Sequence, residues 1–246
     1  MLWVKKEKSS VFEDFLLHLT HLEIERMSNM NIDESAIPFL DWKKISKSGE
    51  LDESFIIAYA KKIRWKLLLE HQQLSEELLV ACSQKIDWYT FSKYQQLTRF
   101  SDSFIESYKD RIHWDEVSIH QPLTEEFIET YGEELNWFYL SQHQTLSEEF
   151  VERNAERLTW RALCPSKVEM SNAFILTHFD RLNPRLLTAY KHDLNEEVID
   201  RILELDPFSN HEDAQAFYYV EQYQTITNEQ RQKLNHYWRE KHKKET

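Results

Sequence analysis

The sequence predicts an all-α fold, an α-solenoid of about six short helix-hairpin repeats with helical caps at both ends. Two observations carry this reading. One 23-residue unit recurs six times, and helix-start chemistry returns at fixed places in every copy. Taking Leu51, Leu74, Phe100, Leu123, Leu146 and Met170 as position zero aligns the copies. Position four is then Phe55, Leu78, Phe104, Phe127, Phe150 and Phe174. Position twelve is Ile63, Ile86, Ile112, Leu135, Leu158 and Leu182. Position fourteen is Trp65, Trp88, Trp114, Trp137 and Trp160, with Pro184 in the sixth copy. Position seventeen is Leu68, Phe91, Val117, Leu140, Leu163 and Leu187. Self-similarity at a fixed period marks proteins whose units bury their apolar faces against one another.

Each copy accounts for two helices. Position one is Asp52, Ser75, Ser101, Thr124, Ser147 or Ser171, all residues whose side-chain oxygen accepts from the free N–H groups of a helix start. Position two is acidic in five copies, which suits the positive end of the helix dipole. Helix A therefore begins here and is expected to run about ten residues. Its inward face is formed by positions four, five, eight and twelve. Helix B begins just before the tryptophan. Asp87, Asn136, Thr159 and Asn183 are good caps at position thirteen, whereas Arg64 and His113 are not. It ends near positions twenty and twenty-one, and Pro184 is tolerated in its first turn. Helices this short do not persist alone in water, so packing must hold them.

The step from Trp88 to Trp114 is three residues longer than the period. The insertion, around Leu97–Arg99, reads as a longer loop and a place for a bend. Residues 1–50 read as an N-terminal cap. A capping box, Ser10 to Glu13, opens a helix through about Met27 with Phe12, Phe15, Leu16, Leu19 and Leu22 as its apolar stripe. A degenerate repeat follows at Leu40-Asp41-Trp42 and Ile45. Residues 51–193 hold the six repeats. Residues 194–246 form the C-terminal cap: a seventh helix A opening at Leu194-Asn195-Glu196, then helices near His211–Tyr223 and from the Thr227–Gln230 box to about Lys243. The three segments read as one continuous solenoid.

Charge narrows the partners. The net charge is −13, yet the first ten residues carry +2 and the last sixteen +4, which leaves −19 on residues 11–230. A body this acidic repels phosphate backbones and disfavours nucleic acid. The basic tail is able to touch an anionic partner, or to stay solvated. Two glycines in 246 residues exclude phosphate-cradling and dinucleotide loops. Cys82 and Cys164 fall in unlike columns, so no disulfide framework or zinc site is indicated. With no signal peptide, the two thiols fit a reducing cytosol. No apolar run approaches the roughly 20 residues that span a bilayer. No cofactor, metal or catalytic constellation is expected, and the chain reads as a non-enzyme. Oligomeric state is left open.

The unit seen in Leu123-Thr-Glu-Glu-Phe-Ile, in Leu135-Asn-Trp-Phe-Tyr-Leu-Ser and in Gln144 resembles short tandem helical-hairpin repeats found in phage, giant-virus and some bacterial proteins. Their pattern is "L-S-E-E-F-I … W-x-x-I-S-x-x-Q". The resemblance covers about residues 40–200 and implies the fold but no activity. It also implies a modulator or inhibitor of another protein. The copies starting at Leu146 and Met170 depart from it, with Lys167 and Lys191 in place of glutamine and Pro184 in place of tryptophan.

Three groups are candidates for partner binding. Acids at the helix-A starts, among them Glu77, Glu126 and Glu149, would align on stacking. They suit a basic protein surface or mimic a nucleic-acid backbone, although helix-dipole complementation also accounts for them. The second group is the position-twenty column His71, Tyr94, His120 and His143, then Ser166 and Tyr190, beside the column Gln72, Gln95, Gln121, Gln144, Lys167 and Lys191. Such residues can read single-stranded bases, but the acidic body favours a structural role in which the glutamines bond loop backbone. The histidines are too far apart for joint metal ligation, and His18 with His21 makes a weak metal pair. The third group is Tyr89, Phe138 and Tyr139, aromatics at outward positions of the kind enriched in interfaces.

These residues predict a protein-binding scaffold or adaptor with a basic-surfaced protein as partner; the alternative is an acidic nucleic-acid mimic. If the tryptophan column is core, Trp114→Ala should destabilise the array by roughly 3–5 kcal/mol; an unchanged thermal unfolding curve would refute that assignment.

Overall fold

The computed structural model describes residues 40–245. The helix expected between Ser10 and Met27, with the pair His18 and His21, lies outside the described residues. Among the described residues every regular element is helical. The chain divides into two compact units, Met1–Pro122 and Leu123–Thr246, and each is considered by itself.

In the first unit α1 (Trp42–Ile45) is the degenerate repeat. It is followed by the pairs α2 (Glu53–Ala58) and α3 (Trp65–His71), α4 (Glu76–Ala81) and α5 (Trp88–Tyr94), and α6 (Asp102–Tyr108) and α7 (Trp114–His120). The second unit holds α8 (Glu125–Tyr131) and α9 (Trp137–His143), α10 (Glu148–Arg153) and α11 (Trp160–Leu163), and α12 (Asn172–Thr177) and α13 (Pro184–Tyr190). It closes with α14 (Glu196–Leu203), α15 (His211–Tyr223) and α16 (Asn228–Glu245). B helices lie beside B helices: α3 on α5 and α5 on α7 in the first unit, α9 on α11 and α13 on α15 in the second.

All six helix-A caps form as the residue types require. Each position-one side chain accepts a backbone N–H from the first turn. The A helices themselves are six or seven residues, shorter than the expected ten. Tyr59, Cys82, Asn154 and His178 leave helical dihedrals at position eight, with φ between −109 and −111° and ψ between 17 and 23°. In three repeats a 3-10 turn, Ser83–Lys85, Lys109–Arg111 or Phe179–Arg181, carries the chain on to position eleven. At the B-helix starts Asp87, Asn136 and Asn183 cap with their side chains, while Thr159 makes no cap bond despite its hydroxyl.

The junctions between repeats are irregular backbone against a buried core, so their N–H and C=O groups need partners. The glutamine column supplies them. Gln95, fully buried, accepts from Leu74 N at 2.9 Å and donates to Gln72 O at 2.7 Å and Leu69 O at 2.8 Å. Gln72 closes on Leu51 N and O at 2.8 and 2.7 Å, and Gln144 accepts from Leu123 N at 3.1 Å. Gln121 accepts from Leu97 N at 2.8 Å and donates to Ser92 O. Leu97, fully buried, thus holds the structural position zero of the third repeat, and Phe100 is displaced to a half-buried place against Phe91 and Phe104. The inserted residues form a 3-10 turn, not a loop.

Two further columns join repeats. Ser46, Ser92 and Ser141 each donate to the tryptophan carbonyl four residues back, at 2.6–2.7 Å. Each also accepts the N–H of position thirteen in the next repeat: Arg64, His113 and Thr159, at 2.8–2.9 Å. Position eleven carries arginines that stack on the preceding repeat's tryptophan. Arg157 lies 4.2 Å from the Trp137 ring, Arg181 4.5 Å from Trp160, and Arg111 5.0 Å from Trp88. The Trp137 indole N–H and the Arg157 guanidinium both donate to Gly132 O, at 2.8 and 2.9 Å. A Cβ on Gly132 would meet Ile128 O at 2.8 Å and the Trp137 ring at 3.2 Å, so the close approach needs glycine. Trp65, Trp88 and Trp160 are buried; Trp114 and Trp137 are only half-buried and are held as much by hydrogen bonds and ring contacts as by enclosure.

In the C-terminal cap α15 acts as a seventh helix B. Gln224, just past its end, accepts from Leu194 N at 3.3 Å and donates to Lys191 O at 2.6 Å, repeating the glutamine bond. Glu212 on α15 is gripped by Arg161 of α11 at 2.8 Å. The basic tail forms most of α16, and Lys233 in its first half pairs with Asp200 at 3.2 Å. Thr227 and Gln230 make the reciprocal capping box.

Gln95→Ala leaves one buried N–H and two carbonyls without partners. At about 1–3 kcal/mol per unsatisfied group, urea unfolding should show a loss of at least about 3 kcal/mol. A loss under about 1 kcal/mol would mean that water replaces the amide.

Candidate functional site

The sequence candidates separate onto two helix layers. Glu77, Glu126 and Glu149 are exposed on the A helices α4, α8 and α10, whereas the histidines and aromatics all sit on B helices. Their acidic neighbours at position two have a role that residue type did not reveal. Glu76 accepts from Ser101 N at 2.9 Å and Oγ at 2.7 Å, and Glu125 accepts from Ser147 N at 2.7 Å. Glu148 grips Ser171 N and Oγ. These carboxylates fasten the cap residue of the following repeat. Three acids of the ladder therefore serve internal bonding, whereas Glu53, Asp102 and Glu196 at position two are exposed like the acids of position three.

On the B helices of the first unit, His71, Tyr94 and His120 are the last residues of α3, α5 and α7, all exposed. His71 Nδ1 lies 3.0 Å from Leu67 O within its own helix. Tyr89, 46 % exposed, stands edge-on to His113 with ring centroids 5.6 Å apart, and the Glu116 carboxylate acts on its phenol. His120 Nε2 lies 3.3 Å from the same carboxylate. The structure thus brings Tyr89 and His120 together through Glu116, a residue the sequence reasoning did not single out. The neighbouring Glu116 carboxylate favours the protonated phenol and pushes Tyr89 ionisation above the ordinary tyrosine value. Tyr94 stays apart from this group, with Lys93 Nζ 5.6 Å from its ring.

In the second unit Phe138, 50 % exposed, packs edge-on against Tyr139 at 5.5 Å, and Tyr139 in turn lies 6.3 Å from the His143 ring. All three belong to α9. Further exposed aromatics follow on B helices of the same unit: Tyr190 of the position-twenty column on α13, and on α15 Tyr218 and Tyr223, which the sequence did not single out as binding residues. Tyr219 and Tyr223 stack at 5.9 Å, and His192 meets Tyr223 at 5.8 Å. The signal for these was present in the sequence as Tyr-Tyr and a tyrosine four residues on, which places rings on one side of a helix.

Chemically reactive groups are sparse. Among the described residues no three His, Cys, Asp or Glu side chains gather into a metal-holding cluster. Cys82 and Cys164 are buried thiols, and burial pushes both above the ordinary thiol pKa, away from the reactive thiolate. Among the described residues no helix is long and apolar enough to cross a membrane.

Replacing the hydrogen-bond acceptor charge, Glu116→Gln, should return Tyr89 ionisation toward the ordinary value of 10.0. Absorbance or NMR titration of a variant set resolves this, and an identical titration in wild type and Glu116→Gln would disprove the contact. Comparison with family models, with curated proteins and with solved structures gives no match.

Proposed function

We propose that this chain is a non-enzymatic protein-binding scaffold that engages its partner through exposed aromatic side chains carried on the B helices of each unit. The observation that carries this is the placement of exposed aromatic side chains. Tyr89, Tyr94, Phe138, Tyr190, Tyr218 and Tyr223 are all on α5, α9, α13 or α15. Exposed tyrosine and phenylalanine bury large area at a low cost in side-chain entropy, which is why interfaces are rich in them. The outward acids Glu77, Glu126 and Glu149 lie on the other helix of each hairpin and favour a partner with basic groups at its rim. A role as modulator of a host or competing protein in the cytoplasm follows from the resemblance to phage-associated repeats.

Capture of a stoichiometric protein from native lysate should survive high salt and be lost in a variant carrying Tyr89→Ser, Tyr94→Ser, Phe138→Ser and Tyr139→Ser. If the four changes leave capture intact while Glu126→Lys with Glu149→Lys abolishes it, the acidic nucleic-acid mimic takes the place of this reading.

A further inference from the structure

Repeat six breaks the glutamine column, and the break opens a polar hollow. In the intact repeats the glutamine amide does two things at once. Its nitrogen donates to the carbonyl two residues before position zero, as Gln95 does to Gln72 O. Its oxygen accepts the N–H of position zero itself, as from Leu74. Lys191 stands in this column and reproduces only the first. Its Nζ donates to Val168 O at 2.6 Å, the equivalent carbonyl, with Ser166 O at 3.4 Å. An ammonium accepts nothing. The N–H of Met170, position zero of this repeat, accordingly has no acceptor among the described residues.

Lys191 is half-buried and forms no ion pair with a carboxylate among the described residues. Burial lowers its pKa, which reports an ammonium short of compensating charge. Met170 and Lys191 both line a hollow of about 330 Å³, together with Tyr190, His192, Asp193 and Ile175. Glu169 acts on Lys191 only at range, and Asp193 stands at the exposed rim. The start of α12 is not what makes the site, because Ser171 Oγ already takes Phe174 N and Glu148 takes Ser171 N. Repeat five also lacks its glutamine, but Lys167 there is exposed, so no ammonium sits beside the Leu146 N–H.

We propose that this hollow binds a carboxylate group, which sits where the other repeats place the glutamine carbonyl oxygen, one oxygen on the Met170 N–H and the charge against Lys191. The group comes either from a small free acid or from a peptide C-terminus. This inference does not depend on the protein-binding reading above.

Titration of the full chain with acetate and with N-acetylglycine, followed by amide NMR, separates the two sources. Saturable shifts at Met170, Lys191 and His192 are expected. N-acetylglycine binding the tighter assigns a peptide terminus, and acetate binding equally well assigns a free acid. Lys191→Gln restores the column: it should keep or raise the melting temperature while weakening carboxylate binding by about tenfold, the loss of one charge-assisted bond. Equal shifts with uncharged acetamide, unsaturable shifts, or unchanged binding in Lys191→Gln overturn the proposal.

Discussion

The structure depends on satisfying the backbone at the turn between one helix pair and the next. Helices of six or seven residues leave most of their terminal N–H and C=O groups unpaired, and the leucine at position zero drags the adjoining loop into the core. In the first four repeats one glutamine amide, carrying both a donor and an acceptor, meets that demand. Its neighbours Leu68 and Phe91 are fully buried beside it, so water offers little alternative. An unsatisfied group costs more than any helix propensity in these short segments gains. The hydrophobic columns set which residues face inward, but the amide fixes the register of one repeat on another.

That division explains what was legible in the sequence. The apolar columns and the six helix-A caps could be read because each acts within its own repeat, at fixed spacing. The glutamine role was inferable from residue type, and Gln224 shows its generality, since it makes the same bond after a thirteen-residue helix that breaks the period. The position-eleven arginines were not legible. Their column also holds Lys62, Lys85 and Glu134, and they act on the tryptophan of a different repeat. Leu97 was misplaced for a related reason. Counting back from the tryptophan selects Phe100, whereas the bond from Gln121 selects the buried leucine three residues earlier.

The candidate residues were legible as types but not as a site. Acids and aromatics looked like one set along the chain, and the fold assigns them to different helices of the hairpin. The position-two carboxylates Glu76, Glu125 and Glu148 are occupied by the cap serines of the next repeat, which removes them from any partner. Position-three carboxylates stay outward. What draws Tyr89 and His120 together is Glu116, which no periodic column marks, because repeat three alone places an acid there. Sites of this kind arise where copies differ.

The later repeats show how much difference the scheme tolerates. Cys164 replaces the serine of its column and keeps only the donor side, weakened, with Sγ 3.9 Å from Trp160 O and 3.8 Å from Asn183 O, whereas the serines accept the N–H of that position. Thr188 keeps the back-bond to Pro184 O at 2.9 Å. Pro184 gives up the tryptophan but fits the first helical turn, with Asn183 capping ahead of it. Each of these substitutions preserves the donor or the geometry that its column requires. Lys191 preserves only the donor half of the glutamine, so the acceptor half must come from elsewhere. Unlike repeat five, where the lysine of the column is exposed, repeat six sets a half-buried ammonium beside the open N–H, and that is the place where an outside anion has a structural reason to bind.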